Sequence, residues 1–100
     1  MAGPIYKLFL MKPLPTWFEL SEEERNAIVA KDQENFERVG GEIVFRGTSI
    51  WSSEQWALFG VLKFPDIEAV QAHAAYDLEL NWPYQYFETM TILGTEWEPE

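Results

Sequence analysis

QWALFGVLKF (Gln55–Phe64), running directly into PDIEAV (Pro65–Val70), is the stretch that decides the architecture. The first ten residues are rich in aromatic and β-branched side chains, as a strand requires. Pro65 stops the ladder, and Asp66 is placed to cap a helix that begins at Ile67. Both faces of the strand are apolar: Trp56, Leu58, Leu62 and Phe64 on one, Ala57, Phe59 and Val61 on the other. A strand wetted on one side alternates more cleanly, so this one is expected to be covered on both.

Working backwards, Glu42–Ser52 reads as a partner strand, with Ser52-Ser53-Glu54 as the hairpin connection. Gly47 and Gly60 are candidate bulges or sites of close backbone approach. Before it lies a long helix that starts at Ser21-Glu22-Glu23-Glu24, a capping box in which Ser21 and Glu24 satisfy each other's backbone N–H groups. It runs to Val39 and stops at Gly40-Gly41. Ile5–Met11 is a first strand, ended by Lys12-Pro13-Leu14-Pro15, which reads as an extended loop. Forwards, the helix from Ile67 runs to about Leu80, and Tyr84–Trp97 supplies a last strand.

The order βαββαβ is that of the ferredoxin-like fold, α+β, with a four-stranded antiparallel sheet and both helices on one face. Residues 1–100 are expected to form a single domain. The second apolar sheet face then needs a cover, and a second copy of the sheet is the simplest one, so a homodimer or higher oligomer is expected.

Composition narrows the function. A formal net charge of -10, with seven Lys and Arg scattered and unclustered, argues against nucleic acid and anionic membranes. No run is long and apolar enough for a membrane span, and the N-terminus lacks signal-peptide character, which points to the cytoplasm. With one His and no Cys, a transition-metal centre is not expected. Nor is a nucleotide cofactor, because Gly40-Gly41 follows a helix instead of opening one. No cofactor at all is the expectation, haem held through His73 being the one alternative left open.

Two positions stand out as candidate chemistry. In the first long helix Ile28, Val29, Phe36 and Val39 form an apolar stripe, with Asp32 at its centre and Arg25 on it. An acid there is costly unless paired or facing a polar pocket. Either Asp32 pairs internally with Arg25, or the helix turns both to solvent, or Asp32 lines a cavity as an acid/base group. In the second helix the apolar centre is Ile67, Val70, Ala74 and Leu78, which leaves His73 on the flank with Asp77 one turn on, as a surface pair or a dyad. Tyr76 projects away from the core. Sixteen aromatic side chains leave some to line a pocket or an interface. Trp82 and Tyr86, in the loop before the last strand, Trp17 after the first, and Phe59 are the candidates, with Arg25 to steady an anion.

The junction Phe64-Pro65-Asp66-Ile67-Glu68-Ala69-Val70 after an apolar strand resembles that of the dimeric α+β barrel superfamily. Its continuation through Trp82-Pro83-Tyr84 is similar in layout to muconolactone isomerases, and the segment from Pro15 to Arg25 is similar to the opening of darcynin-like proteins. The resemblance implies a dimeric barrel. It further implies an isomerase, cyclase or cofactor-free monooxygenase that moves a proton on a small apolar, aromatic or lactone-like molecule. On the pattern of the cyclases, which place a His on the second helix, His73 would carry that chemistry, with Asp32 of the first helix's stripe as the other acid/base candidate. The alternative is a dimer that only binds a ligand or another protein.

Overall fold

The computed structural model describes residues 3–80 and 85–98. Its elements are β1 (Ile5–Pro13), α1 (Pro15–Phe18), α2 (Glu22–Arg38), β2 (Glu42–Thr48), β3 (Leu58–Phe64), α3 (Ile67–Glu79) and β4 (Phe87–Gly94). The strands form one antiparallel sheet in the order β2-β3-β1-β4. This is the ferredoxin-like arrangement read from the sequence.

Local chemistry sets the helix ends. Ser21 Oγ accepts from the Glu24 N–H at 3.1 Å, and the Glu24 carboxylate accepts from the Ser21 N–H at 2.9 Å. These bonds hold the Glu24 carboxyl below its ordinary range. At the other end Gly40 takes φ +81°, and the N–H groups of Gly40 and Gly41 donate to the carbonyls of Glu37 and Phe36. That pair of bonds satisfies the last carbonyls of α2, and only a residue tolerant of positive φ closes it at low cost. Asp66 caps α3 by accepting from the Ala69 N–H at 2.8 Å.

Several expected boundaries move. Pro15, expected in an extended loop, opens the short helix α1, where its fixed φ suits the first turn. The hairpin connection between β2 and β3 is longer than Ser52-Ser53-Glu54. Residues 49–57 fold as turns, in which the Ser49 carbonyl accepts from the N–H groups of Ser52 and Ser53 and Ser53 Oγ accepts from the Trp56 N–H. Their hydroxyls offer the backbone an alternative to the ladder, which shortens both strands. A bulge in β2 between Ile43 and Phe45 lies against β3. A Cβ on Gly60 would meet the Phe45 carbonyl oxygen at 2.5 Å and the Phe9 ring at 2.9 Å, so the bulge needs glycine there.

Alternation along β1 assigns its faces. Ile5, Lys7, Phe9 and Met11 point toward the helices; Tyr6, Leu8 and Leu10 point away. The helix-side core gathers at one end of the sheet, where Ile5 and Phe64 are register partners: Phe36, Phe64, Ala69 and Val70 are buried, with Ile5, Val39 and Leu62 packed on them. Toward the other end, at Met11 and Leu58, the helices leave the sheet uncovered and a cavity opens. The far face of the sheet carries Leu8, Phe45, Met90 and Ile92, all exposed. Among the described residues no helix is long and apolar enough to cross a membrane.

Candidate functional site

The cavity between helices and sheet has a volume of about 500 Å³. Its walls are mostly apolar, with Phe9, Met11, Trp17, Val29, Ile43 and Leu62 among the lining residues. Its polar groups are few: Lys7, Asp32, His73 and Asp77 together, Arg46 from β2, Gln33, and threonines of β2 and β4. An apolar pocket with a small set of convergent polar groups is the usual form of a small-molecule site.

Asp32 comes from α2 and His73 from α3, 41 residues apart, and His73 Nε2 lies 3.0 Å from Asp32 Oδ1. An ionised carboxylate only accepts, so Nε2 carries the proton and donates it to Asp32. Asp77, one turn beyond His73, places Oδ1 3.5 Å from the same Nε2. Behind the ring stand Phe36 and Phe64, with centroids 5.5 and 5.7 Å away. His73 and Asp77 are 4% and 6% exposed, whereas the Asp32 side chain keeps 26% of its surface. Asp32 is thus the member of the trio that a ligand in the cavity meets. His73 Nδ1 and Asp77 Oδ1 are buried without a hydrogen-bond partner, a cost that cores seldom carry without a functional reason.

The electrostatics separate the two carboxyls. Burial, a hydrogen bond to Asp32 and the charge of Asp32 push the Asp77 carboxyl up to about 9, against a smaller downward pull from Lys7. Burial also pushes Asp32 up, but the hydrogen bonds of His73 and Asp77 and the charges of His73 and Lys7 outweigh it and hold Asp32 below its ordinary value. At neutral pH, then, Asp77 is protonated and Asp32 is ionised. Two acids pushed apart in this way mark acid/base assignments.

The expected site residues fall into different places. Asp32 lies on the inner stripe of α2 and pairs with His73, not with Arg25. Arg25 is half-buried near the start of α2 and is not among the residues lining the cavity. His73, expected on a flank, is instead at the centre of the buried stripe of α3, with Ala69, Val70 and Asp77. Ile67 and Leu78, the expected centre, are 41% and 57% exposed. Trp17 lines the cavity, its ring 4.9 Å from Phe87 and 5.7 Å from Tyr86. Tyr86 is half-buried against Trp17 and supports the wall from behind. Phe59 lies on the opposite face of the sheet, its ring 5.6 Å from Phe45, because it is one residue out of phase with Leu58 and Gly60. Trp82 lies outside the described residues. Tyr76 stacks under Arg38 on the outside of the helix pair.

Two lining cations, Lys7 and Arg46, escaped the sequence reading. Lys7 sits in an apolar strand, and only the assignment of the odd residues of β1 to the helix side reveals it. As for metals, Asp32, His73 and Asp77 each offer one ligand atom within 4.8 Å of the others. A divalent ion there would have to displace the Asp77 proton and tolerate the Lys7 charge. His73 does not fit an axial haem ligand, since Nε2 is turned to two carboxylates and the ring is set between Phe36 and Phe64.

The fold is similar to that of a protein of unknown function from Rhodopseudomonas palustris. The TM-score is 0.67 and the identity 18%, over 99% of this chain and 86% of that one. In its methylated form that protein is similar at TM-score 0.75 and 19% identity, over 99% and 84%. Chlorite dismutase from Candidatus Nitrospira defluvii, in complex with imidazole, is similar at TM-score 0.75 and 13% identity, over 99% of this chain and 42% of that one. The chain therefore spans less than half the length of that dismutase. No protein-family model matches the sequence, and no curated protein matches it. At these identities the likeness establishes the fold alone, which is ferredoxin-like.

Proposed function

We propose that the protein is a cytoplasmic, single-domain enzyme of the isomerase, cyclase or cofactor-free monooxygenase kind. It would move a proton on a small apolar, aromatic or lactone-like molecule held in the cavity. The observation that carries this reading is the 3.0 Å bond between Asp32 and His73 at the wall of an apolar cavity. Asp32 is ionised, partly exposed and within reach of a ligand, so it acts as the base that takes a proton from carbon. His73, donating to Asp32, orients the carboxylate and stabilises it between turnovers. The protonated Asp77 hydrogen-bonds to Asp32 beside His73.

The acting species in this reading is a homodimer. Leu8, Phe45, Met90 and Ile92 form an exposed apolar surface on the sheet face opposite the helices, and a second sheet packed on it would remove that surface from water. The alternative is a dimer that binds a ligand or protein without catalysis, and the same apolar face supports it.

Hydrogen–deuterium exchange at carbon separates the two. Small aromatic acids and lactones are incubated with the protein in D₂O and followed by proton NMR. The wild type is expected to accelerate exchange in at least one of them. Asp32→Asn is expected to lower that rate about a hundredfold, and His73→Ala somewhat less, both with unchanged circular dichroism. Full exchange activity in both variants would remove the acid/base assignment. No exchange with any compound by the wild type would favour the binding reading.

A further inference from the structure

The chain is strongly acidic, yet the charges around its cavity are not. Lys31 and Arg38 sit against Glu34, and Lys63 sits against Glu42. Lys7 and Arg46 both line the cavity, and neither has an ion-pair partner among the described residues. Among the described residues five ionisable groups line it: Lys7, Asp32, Arg46, His73 and Asp77. With Asp77 protonated, the two cations Lys7 and Arg46 face one ionised carboxylate, Asp32. The cavity is a positive spot in a chain whose formal net charge is -10.

Lys7 is half-buried in an apolar wall without an ion pair, which costs free energy that a bound anion would recover, whereas Arg46 is exposed. The register shows how one would lie. Lys7, Leu62 and Ile43 are in line across β1, β3 and β2; Phe9, Gly60 and Arg46 form the adjacent row. The two cations thus stand on neighbouring rows, with Phe9, Leu62 and Ile43 around them as an apolar floor.

We propose that this cavity takes a small aromatic or alicyclic carboxylate, its carboxylate group on Lys7 with Arg46 beside it and its ring on Phe9, Ile43 and Leu62. A carboxylate fits better than a phosphate. Only two cations line it among the described residues, Asp32 opposes a second negative charge, and the N-termini of α2 and α3 are already capped by Ser21 and Asp66. The placement rests on the acid/base reading only for the reacting end of the ligand, which it sets against Asp32. Burial holds the Lys7 ammonium below its ordinary value, while Asp77 and Asp32 pull it back up. Alkaline pH removes the Lys7 proton and ionises Asp77, and both changes weaken carboxylate binding.

Binding can be read without turnover. Benzoate, phenylacetate and 3-phenylpropanoate are titrated by NMR at pH 7 and low salt, each against its neutral primary amide. At least one acid is expected to bind about tenfold more tightly than its amide, as a charge-assisted contact implies. Lys7→Met should erase that preference and leave the amide unaffected, and Arg46→Gln should reduce it about threefold. If Lys7→Met fails to fold, Lys7→Arg serves in its place and should keep the preference. Equal binding of acid and amide by the wild type would overturn the proposal. So would an undiminished preference in Lys7→Met, its loss in Lys7→Arg, or no binding by any of the three acids. Asp32→Asn should keep acid binding while losing exchange, so failure of the chemistry and failure of the anion site give different results.

Discussion

The two faces of β1 are built from alternate residues of one nine-residue strand, and they do different things. Toward the helices, Lys7, Phe9 and Met11 line a cavity with Asp32, His73 and Asp77 opposite. Away from them, Leu8 joins Phe45, Met90 and Ile92 on an exposed apolar surface. The first face spends stability on buried polar groups with incomplete hydrogen bonding. The second has stability still to gain from burial. A site that strains the fold on one side thus sits back to back with a surface that association would stabilise.

The harshest way to break this contrast is at the point where the two faces meet. Gly60→Ala puts a methyl group 2.5 Å from the Phe45 carbonyl, and a backbone oxygen cannot swing away as a side chain can. A loss of about 3 kcal/mol is expected in urea unfolding, at the upper end for single substitutions. A loss below about 0.5 kcal/mol would mean that the β2 bulge relaxes freely.

On the far face, Ile92→Lys should weaken self-association about a hundredfold, which sedimentation equilibrium would record as a shift toward monomer. Asp32→Asn should leave that mass unchanged. If the wild type is already monomeric at micromolar concentration, the dimer is wrong.

On the near face, Asp77→Asn tests the buried proton. The folded carboxyl titrates at about 9, above its unfolded value. Its contribution to stability is therefore complete below about pH 4 and is lost progressively as pH rises toward 9. Asparagine keeps a donor toward Asp32 and has nothing to titrate. The variant should gain on wild type by at most about 1.4 kcal/mol per pH unit across that window, in thermal melts at pH 5 and pH 8. A constant difference between the two pH values would show that Asp77 is ionised in the fold.

Ser21→Ala touches neither face and gives the baseline. Loss of the cap should cost about 1 kcal/mol and leave both exchange activity and mass unaltered.

Asp32 was visible in the sequence because an acid interrupts a stripe otherwise made of Ile28, Phe36 and Val39. His73 and Asp77 were mis-phased for a physical reason. Residues 67–80 contain several alanines, which weigh little, so Ile67 and Leu78 pulled the expected buried face to their own side. In the folded chain the inner face is the one where His73 finds Asp32, and both large aliphatic residues are left largely in solvent. Phe59 and Lys7 show the same limit in strands. Composition says that both faces of β3 are apolar but not which one meets the helices, and that choice alone decides which residues line the cavity.

What the sequence determined by itself was local: the βαββαβ order, the Ser21–Glu24 box, the Asp66 cap and the Gly40 stop. Each depends on hydrogen bonds and torsions among residues a few positions apart, so short-range chemistry suffices. Only the tertiary structure decided that Asp32 meets His73 across 41 residues, that Asp77 keeps its proton, and that Lys7 and Arg46 face the same cavity. Those outcomes depend on which face of each element is buried. That is settled by the packing of the whole chain, because burial changes the energy of a charge far more than any local preference does.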